Sequence, residues 1–192
     1  PTVTIRVAGL NDAPMAVANE YETAEDAVLT GDWIVDDTGA GADSDPDTGD
    51  VLTVSGYTIG TDPTVQPIGA TITLSSGATL RVTSNGSFEY DPTGSAMLNA
   101  LSVGQTFLED PIKYMISDGQ PMIDAEADKY MAPITIRVRG VNDNPVATDN
   151  NYAANQGDTI TGNLITDDTG AGMDEDVDFD GTPPDDMIMV TQ

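Results

Sequence analysis

The sequence predicts an all-β chain, a two-sheet sandwich of the immunoglobulin kind arranged in tandem repeats. Three observations carry this reading. Apolar and polar residues alternate along most segments, while the helical period is nearly absent. Gly, Asn, Asp and Pro punctuate the chain into many short pieces. Finally, "TIRVAGLNDAP" (Thr4 to Pro14) returns as "TIRVRGVNDNP" (Thr135 to Pro145), an offset of 131 residues.

The same offset carries Tyr21 onto Tyr152, Thr30-Gly31 onto Thr161-Gly162, Ile34 onto Ile165, and "DDTGAG" at Asp36 onto "DDTGAG" at Asp167. The later copy then gains five residues, so that "DVLTV" at Asp50 matches "DMIMV" at Asp186. The chain is therefore expected to hold the last strand of one repeat (1–9), a whole repeat (10–140) and the opening of another (141–192). It begins at Pro1 without an initiator Met and reads as a piece of a longer array. The truncated repeat is expected to be disordered or to borrow a strand, such as residues 1–9, from a neighbour.

Taken in order, strands are predicted over 15–23 and 27–35, joined by a tight turn, and over 51–58 and 69–75. "ATLRVTSNGSFEY" reads as a hairpin, with Leu80 and Val82 inward, a turn at Ser84-Asn85-Gly86, and Phe88 and Tyr90 inward. "GSAMLNAL" (94–101) reads as one short helical turn. "PIKYMISDG" alternates Ile112, Tyr114 and Ile116 before turning at Asp118-Gly119. The last strand, 132–139, puts Ile134, Ile136 and Val138 on one face. Trp33, whose counterpart is Leu164, reads as a core or edge residue rather than a sugar-stacking platform.

Composition excludes several functions. The formal net charge is −27, from 33 acidic against 6 basic residues. Nucleic acid and anionic membrane surfaces are not expected partners, because both need clustered Lys and Arg. No apolar run approaches a membrane span. The chain has no Cys and no His. Thiol chemistry, a Ser-His-Asp arrangement and the usual zinc sites are thereby excluded in this fragment, and an enzyme is not expected.

The acids are chiefly Asp, and they crowd into a few loops. "DDTGAGADSDPDTGD" (Asp36 to Asp50) holds six aspartates and no lysine or arginine. A halophilic surface would spread its acids evenly. Strand order places the loop after Val35, the linker Asn11-Asp12-Ala13-Pro14 and the Asp118-Gly119 turn at the same pole, where one repeat meets the next. Clustered carboxylates without compensating cations suit calcium, a hard ion that takes six to eight oxygens. Asp45, Asp47 and Asp50 are the expected loop ligands, with Asp37 behind them. Asn11 and Asp12 join from the linker, and Asp118 from the opposite turn. At the next junction the expected ligands are Asn142, Asp143, Asp168, Asp176, Asp178 and Asp180, with Glu25 and Asp26 reaching over from the far pole of the whole repeat. An EF-hand is excluded, because position 12 of the loop falls on Val54 or Met187 rather than Glu. Isolated aspartates such as Asp62, Asp91 and Asp110 read as turn formers.

"GLNDAP" and "GVNDNP" at the repeat edges resemble the boundary motif of bacterial cadherin-like repeats, including the VCBS-type repeats of large secreted adhesins. "TAEDAVLTG" (23–31), "DPDTGDVLTV" (45–54), "GATLRVTSNGSFEYDP" (77–92) and "YMISDG" (114–119) follow in the order shown by that family. The resemblance implies a Greek-key, cadherin-like sandwich. It also implies calcium-rigidified stacking into an extracellular stalk on a bacterial surface and export by a type I (RTX) system. Implied partners are neighbouring repeats, with cell-surface or extracellular polysaccharide as a second class. The expected function is a structural extender. The alternative is a calcium-dependent carbohydrate-binding or homophilic adhesion module. Two departures stand out. "GAGADS" (39–44) lengthens the acidic loop, and "NQGD" (155–158) replaces "AEDA" (24–27), so Glu25 and Asp26 have no acidic match one repeat later.

Overall fold

A computed structural model describes residues 1–120, 129–178 and 188–190. Among the described residues, ten strands form two sheets. They are β1 (Asn19–Ala24), β2 (Leu29–Asp32), β3 (Thr53–Ile59), β4 (Asp62–Gln66), β5 (Thr71–Thr73), β6 (Thr79–Val82), β7 (Ser87–Asp91), β8 (Thr106–Leu108), β9 (Ile112–Ser117) and β10 (Met131–Arg139). One sheet runs β1-β10-β9-β3-β4, with β8 also on β10; the other runs β2-β7-β6-β5. The first and last strands of the repeat lie side by side and parallel, from Asn19↔Ile134 to Ala24↔Arg139. The remaining pairings are antiparallel. This is an immunoglobulin-like β-sandwich of the cadherin-like kind.

Alternation decides which side chains fill the space between the sheets. Ile134, Ile136 and Val138 of β10 are buried, as are Ile112, Tyr114 and Ile116 of β9. The β6–β7 hairpin pairs Leu80 with Tyr90 and Val82 with Phe88, all four buried. Its turn is closed by Gly86 at φ 97°, a left-handed conformation that glycine adopts without steric cost. Trp33 is fully buried, packed edge-on to Tyr57 at 5.5 Å and tilted against Phe88 and Tyr114. It is a core residue, as its position predicts. Gly31 lets this core close, because a Cβ there would meet Asp36 Oδ2 at 2.7 Å and the Phe88 ring at 2.8 Å.

Several boundaries differ from expectation for identifiable reasons. β2 stops at Asp32, because the Asp32 carboxylate accepts the N–H groups of Ile34 and Val35 and turns the chain. β1 starts only at Asn19; before it, Met15 makes a lone bridge to Ser44. β4 was not expected, because Asp62-Pro63 reads as a turn. It lies at the sheet edge, where a proline without an N–H is tolerated. The three-residue β8 is also new. Residues 94–101 form hydrogen-bonded turns, with Asn99 N–H donating to Ser95 O, and no helix is present among the described residues. Residues 141–178 retrace the opening of the first repeat without forming a strand, and Val146 bridges Glu175 as Met15 bridges Ser44.

Candidate metal centre

The acidic loop is folded by its own aspartates. Asp37 Oδ1 accepts the N–H groups of Gly39 and Gly41, both at 2.9 Å, and these bonds hold its carboxyl below the usual range. The compact turn returns Asp43 to the sandwich, where its N–H donates to Ile34 O. The Asp43 carboxylate accepts from Val17 N–H at 2.7 Å and from the Tyr114 hydroxyl at 2.7 and 2.9 Å. Burial pushes its pKa up to about 6, against the lowering effect of those hydrogen bonds. Asp43 thus anchors the loop on β9.

Beyond the anchor the loop turns acidic. Asp47 N–H donates to Asp45 Oδ1 at 2.7 Å, and Asp12 N–H of the linker donates to Asp47 Oδ2 at 2.7 Å. The Asn11 side-chain amide donates to Asp118 Oδ2 at 2.8 Å. Linker, loop and turn therefore converge at one pole, as strand order requires. Oxygens of Asp45, Asp47 and Asp50 come within 4.8 Å of one another, and Asp45 Oδ2 is buried without a hydrogen-bond partner. Desolvation, followed by the charges of Asp45, Asp47 and Asp118, pushes the Asp50 carboxyl up. Burial pushes Asp118 the same way, but the Asn11 amide and the Gln120 N–H prevail and hold it below its ordinary value.

A repeat later the arrangement recurs with a further contributor. Asp143 N–H donates to Asp178 Oδ2 at 2.5 Å, the bond that Asp12 makes to Asp47. Asp178 N–H donates to Asp176 Oδ1 at 3.2 Å, and the Asn142 amide donates to Asp143 O as Asn11 does to Asp12 O. From the whole repeat, Glu25 Oε1 accepts the Val141 N–H at 2.8 Å. Glu25, Asp143 and Asp178 then offer oxygens within 4.8 Å of one another. Glu25 and Asp178 are each 1% exposed, and Glu25 Oε2 and Asp178 Oδ1 have no hydrogen-bond partner. Burial first, then the charges of Asp178 and Asp143, pushes Glu25 up against the pull of its backbone donors. Asp143 is raised by burial and by Asp178, Asp26 and Asp176.

Buried carboxylate oxygens without partners are costly, and like charges this close repel by an energy on the order of a few kcal/mol per pair. A divalent cation removes both penalties. The donors are all oxygen and mostly anionic, and the chain lacks His and Cys. This set fits a hard ion such as calcium and not zinc. Glu25, Asp143 and Asp178 would hold it at one junction, and Asp45, Asp47 and Asp50 at the other.

The structure distributes the remaining expected ligands unevenly. Asn11, Asp12 and Asp118 border the first group, and Asn142, Asp176 and Asp26 border the second. Asp37 and Asp168 lie in neither, because each caps two glycine N–H groups of its own loop. Asp180 lies outside the described residues. Sequence reasoning missed the anchoring role of Asp43, since its partner Tyr114 is 71 residues away. It also missed Ser102, whose hydroxyl donates to Asp178 O at 2.6 Å.

Against known families, the model of the bacterial cadherin-like domain matches residues 11–140. No curated protein matches the chain.

Proposed function

The chain belongs to the bacterial cadherin-like domain family, and from that premise we propose that it is a calcium-binding extender repeat of a large bacterial surface adhesin. The metal stiffens the junction between consecutive repeats. The observation that carries this reading is the pair of unpartnered oxygens, Glu25 Oε2 and Asp178 Oδ1, buried beside Asp143. The three carboxylates come from the far pole of one repeat, the linker and the loop of the next. An ion among them ties all three segments together.

The role is mechanical spacing rather than chemistry. The protein's own residues orient the junction: Glu25 holds the linker through Val141, Ser102 holds the loop through the Asp178 carbonyl, and Asp178 holds Asp143. The family resemblance supports an extracellular setting and type I export. Among the described residues, no helix is long and apolar enough to cross a membrane. The exposed Asp50 at the first group keeps a second reading in play, in which a bound ion with open positions grips sugar hydroxyls.

The test is a thermal melt of the 192-residue chain in EDTA, in calcium and in magnesium. The extender reading expects a large upward shift in calcium that magnesium does not reproduce. Small-angle scattering should show a longer, stiffer particle in calcium. Equal melts in all three conditions would sink the metal. Calcium-dependent retention on immobilised glycans by the single whole repeat would favour the second reading.

A further inference from the structure

We propose that Asn85 is a glycan acceptor, whose side-chain nitrogen takes an asparagine-linked sugar that lies along the outer face of the β6–β7 hairpin. The chain has ten asparagines, and Asn85-Gly86-Ser87 is its only Asn-x-Ser/Thr triplet. In that pattern a hydroxyl two residues on makes the amide an acceptor for sugar. The triplet forms the tip of the hairpin, where Asn85 is exposed. Beside the tip, Thr30, Arg81, Thr83, Ser87 and Glu89 line a groove of about 420 Å³. Strand register sets Glu89 opposite both Thr30 and Arg81. Their neighbours Phe88, Tyr90, Leu80 and Val82 are buried, so alternation turns this row outward. Hydroxyls with one acid and one base suit a sugar ring, whose own hydroxyls both donate and accept. Arg81 is held in place by Nε donating to Gly69 O at 3.0 Å.

The turn holds the amide ready for the reaction. An amide nitrogen is a poor nucleophile, because its lone pair is shared with the carbonyl. Asn85 Nδ2 donates to Ser87 Oγ at 3.1 Å, and the Ser87 hydroxyl donates in turn to Asp32 Oδ2 at 3.3 Å. On the other side the Thr83 hydroxyl donates to Asn85 Oδ1. An acceptor on the N–H and a donor on the oxygen both favour loss of an amide proton, which leaves a free pair on nitrogen. Transfer forms a bond from Nδ2 to the anomeric carbon of a glycosyl diphosphate donor. The bond from that carbon to the diphosphate oxygen breaks, the diphosphate leaves with the electron pair, and the amide proton passes to a basic group of the transferase. The competing reaction of an Asn-Gly pair is attack of the Gly86 nitrogen on the side-chain carbonyl. It is opposed by the bond from Gly86 N–H to Thr83 O at 3.1 Å. No carboxylate of either candidate metal group takes part, so the inference stands apart from the calcium reading.

The experiment is peptide mapping by mass spectrometry of the protein taken from the cells that make it, beside Asn85→Gln, Ser87→Ala and Ser87→Thr made in the same cells. Trypsin cuts after Arg81 and Lys113, so residues 82–113 form the diagnostic peptide. In the parent this peptide should carry added sugar on Asn85. Asn85→Gln should abolish it, Ser87→Ala should lower its occupancy more than tenfold, and Ser87→Thr should keep it. Melts of the purified variants separate a lost acceptor from a lost fold. A single sugar residue would point to a nucleotide-activated donor and a block of several to a lipid-linked one, and both support the proposal. In NMR spectra of the modified chain, sugar protons should contact the Thr30 and Thr83 methyl groups. An unmodified Asn85, its conversion to Asp alone, sugar only on other residues, or a Ser87→Ala chain modified as fully as the parent would overturn the proposal.

Discussion

Glu25 and Val141 are 116 residues apart, yet the carboxylate of one receives the backbone N–H of the other at 2.8 Å. That bond brings a buried acid of one repeat to the first residue of the linker beyond it. Its other oxygen is buried without a partner on a residue grouped with Asp143 and Asp178, and the metal reading turns on that oxygen.

Glu25→Gln keeps an acceptor for Val141 but removes the charge. In EDTA the variant should melt higher than the parent, because a carboxylate pushed up by burial and like charges is a liability without metal. In calcium the order should reverse, and affinity should fall about tenfold or more, roughly 1.4 kcal/mol or above. Calorimetric titration and paired melts read both arms. The same order in both buffers would remove Glu25 from the site.

Asp37 and Asp47 share a loop but should behave differently. Asp47→Asn should cost about tenfold in calcium affinity, because Asp47 lies in the carboxylate group and holds Asp12. Asp37→Asn should leave affinity within about twofold, because Asp37 lies outside the carboxylate group and caps Gly39 and Gly41. Equal losses would place Asp37 among the ligands after all.

Without metal, stability should fall as pH rises from about 4 to about 6. Asp43, raised to about 6, and Glu25, Asp50 and Asp143, also raised, hold protons in the folded chain that the unfolded chain has already lost. Their penalty is absent below the unfolded values and complete above the folded ones. Asp37, Asp62, Asp118 and Asp168 are lowered and act in the opposite sense, but only below about 3.8. Calcium should invert the slope, because protons then compete with the ion. Melts at several pH values in EDTA and in calcium check the sign.

Glu109 offers a control that belongs to neither carboxylate group. It is 4% exposed, and its Oε1 accepts the Ser76 and Tyr90 hydroxyls, both at 2.6 Å. Glu109→Ala should cost roughly 3 kcal/mol by stranding both donors in the core, while the upward shift in calcium stays as in the parent. Denaturant unfolding followed by Trp33 fluorescence measures the loss, since Trp33 reports the whole repeat's core.

The sandwich was legible because period-two alternation maps directly onto burial, as in β6, β7, β9 and β10. The 131-residue repeat added registration between copies. β4 and β8 were hidden because short edge strands and proline starts look like turns. The loop aspartates were legible as a cluster but not individually. Asp37, Asp43 and Asp45 have the same chemistry and spacing signals. The long-range partners Tyr114 and Val17 make Asp43 the anchor, whereas Asp37 caps a turn of its own loop and Asp45 is left with an unsatisfied oxygen. Glu25 was legible through topology, because strand direction puts the β1–β2 turn at the outgoing pole.

The parallel pairing of β1 with β10 has a mechanical consequence. The chain enters beside the start of β1 and leaves at the end of β10, so tension on the two ends slides these strands lengthwise past each other. The ladder from Asn19↔Ile134 to Ala24↔Arg139 is then loaded in shear, with its rungs sharing the force, rather than peeled one rung at a time. A tether built from such units resists pulling through its first and last strands, and the rate at which that single ladder slips sets how long each link holds under flow.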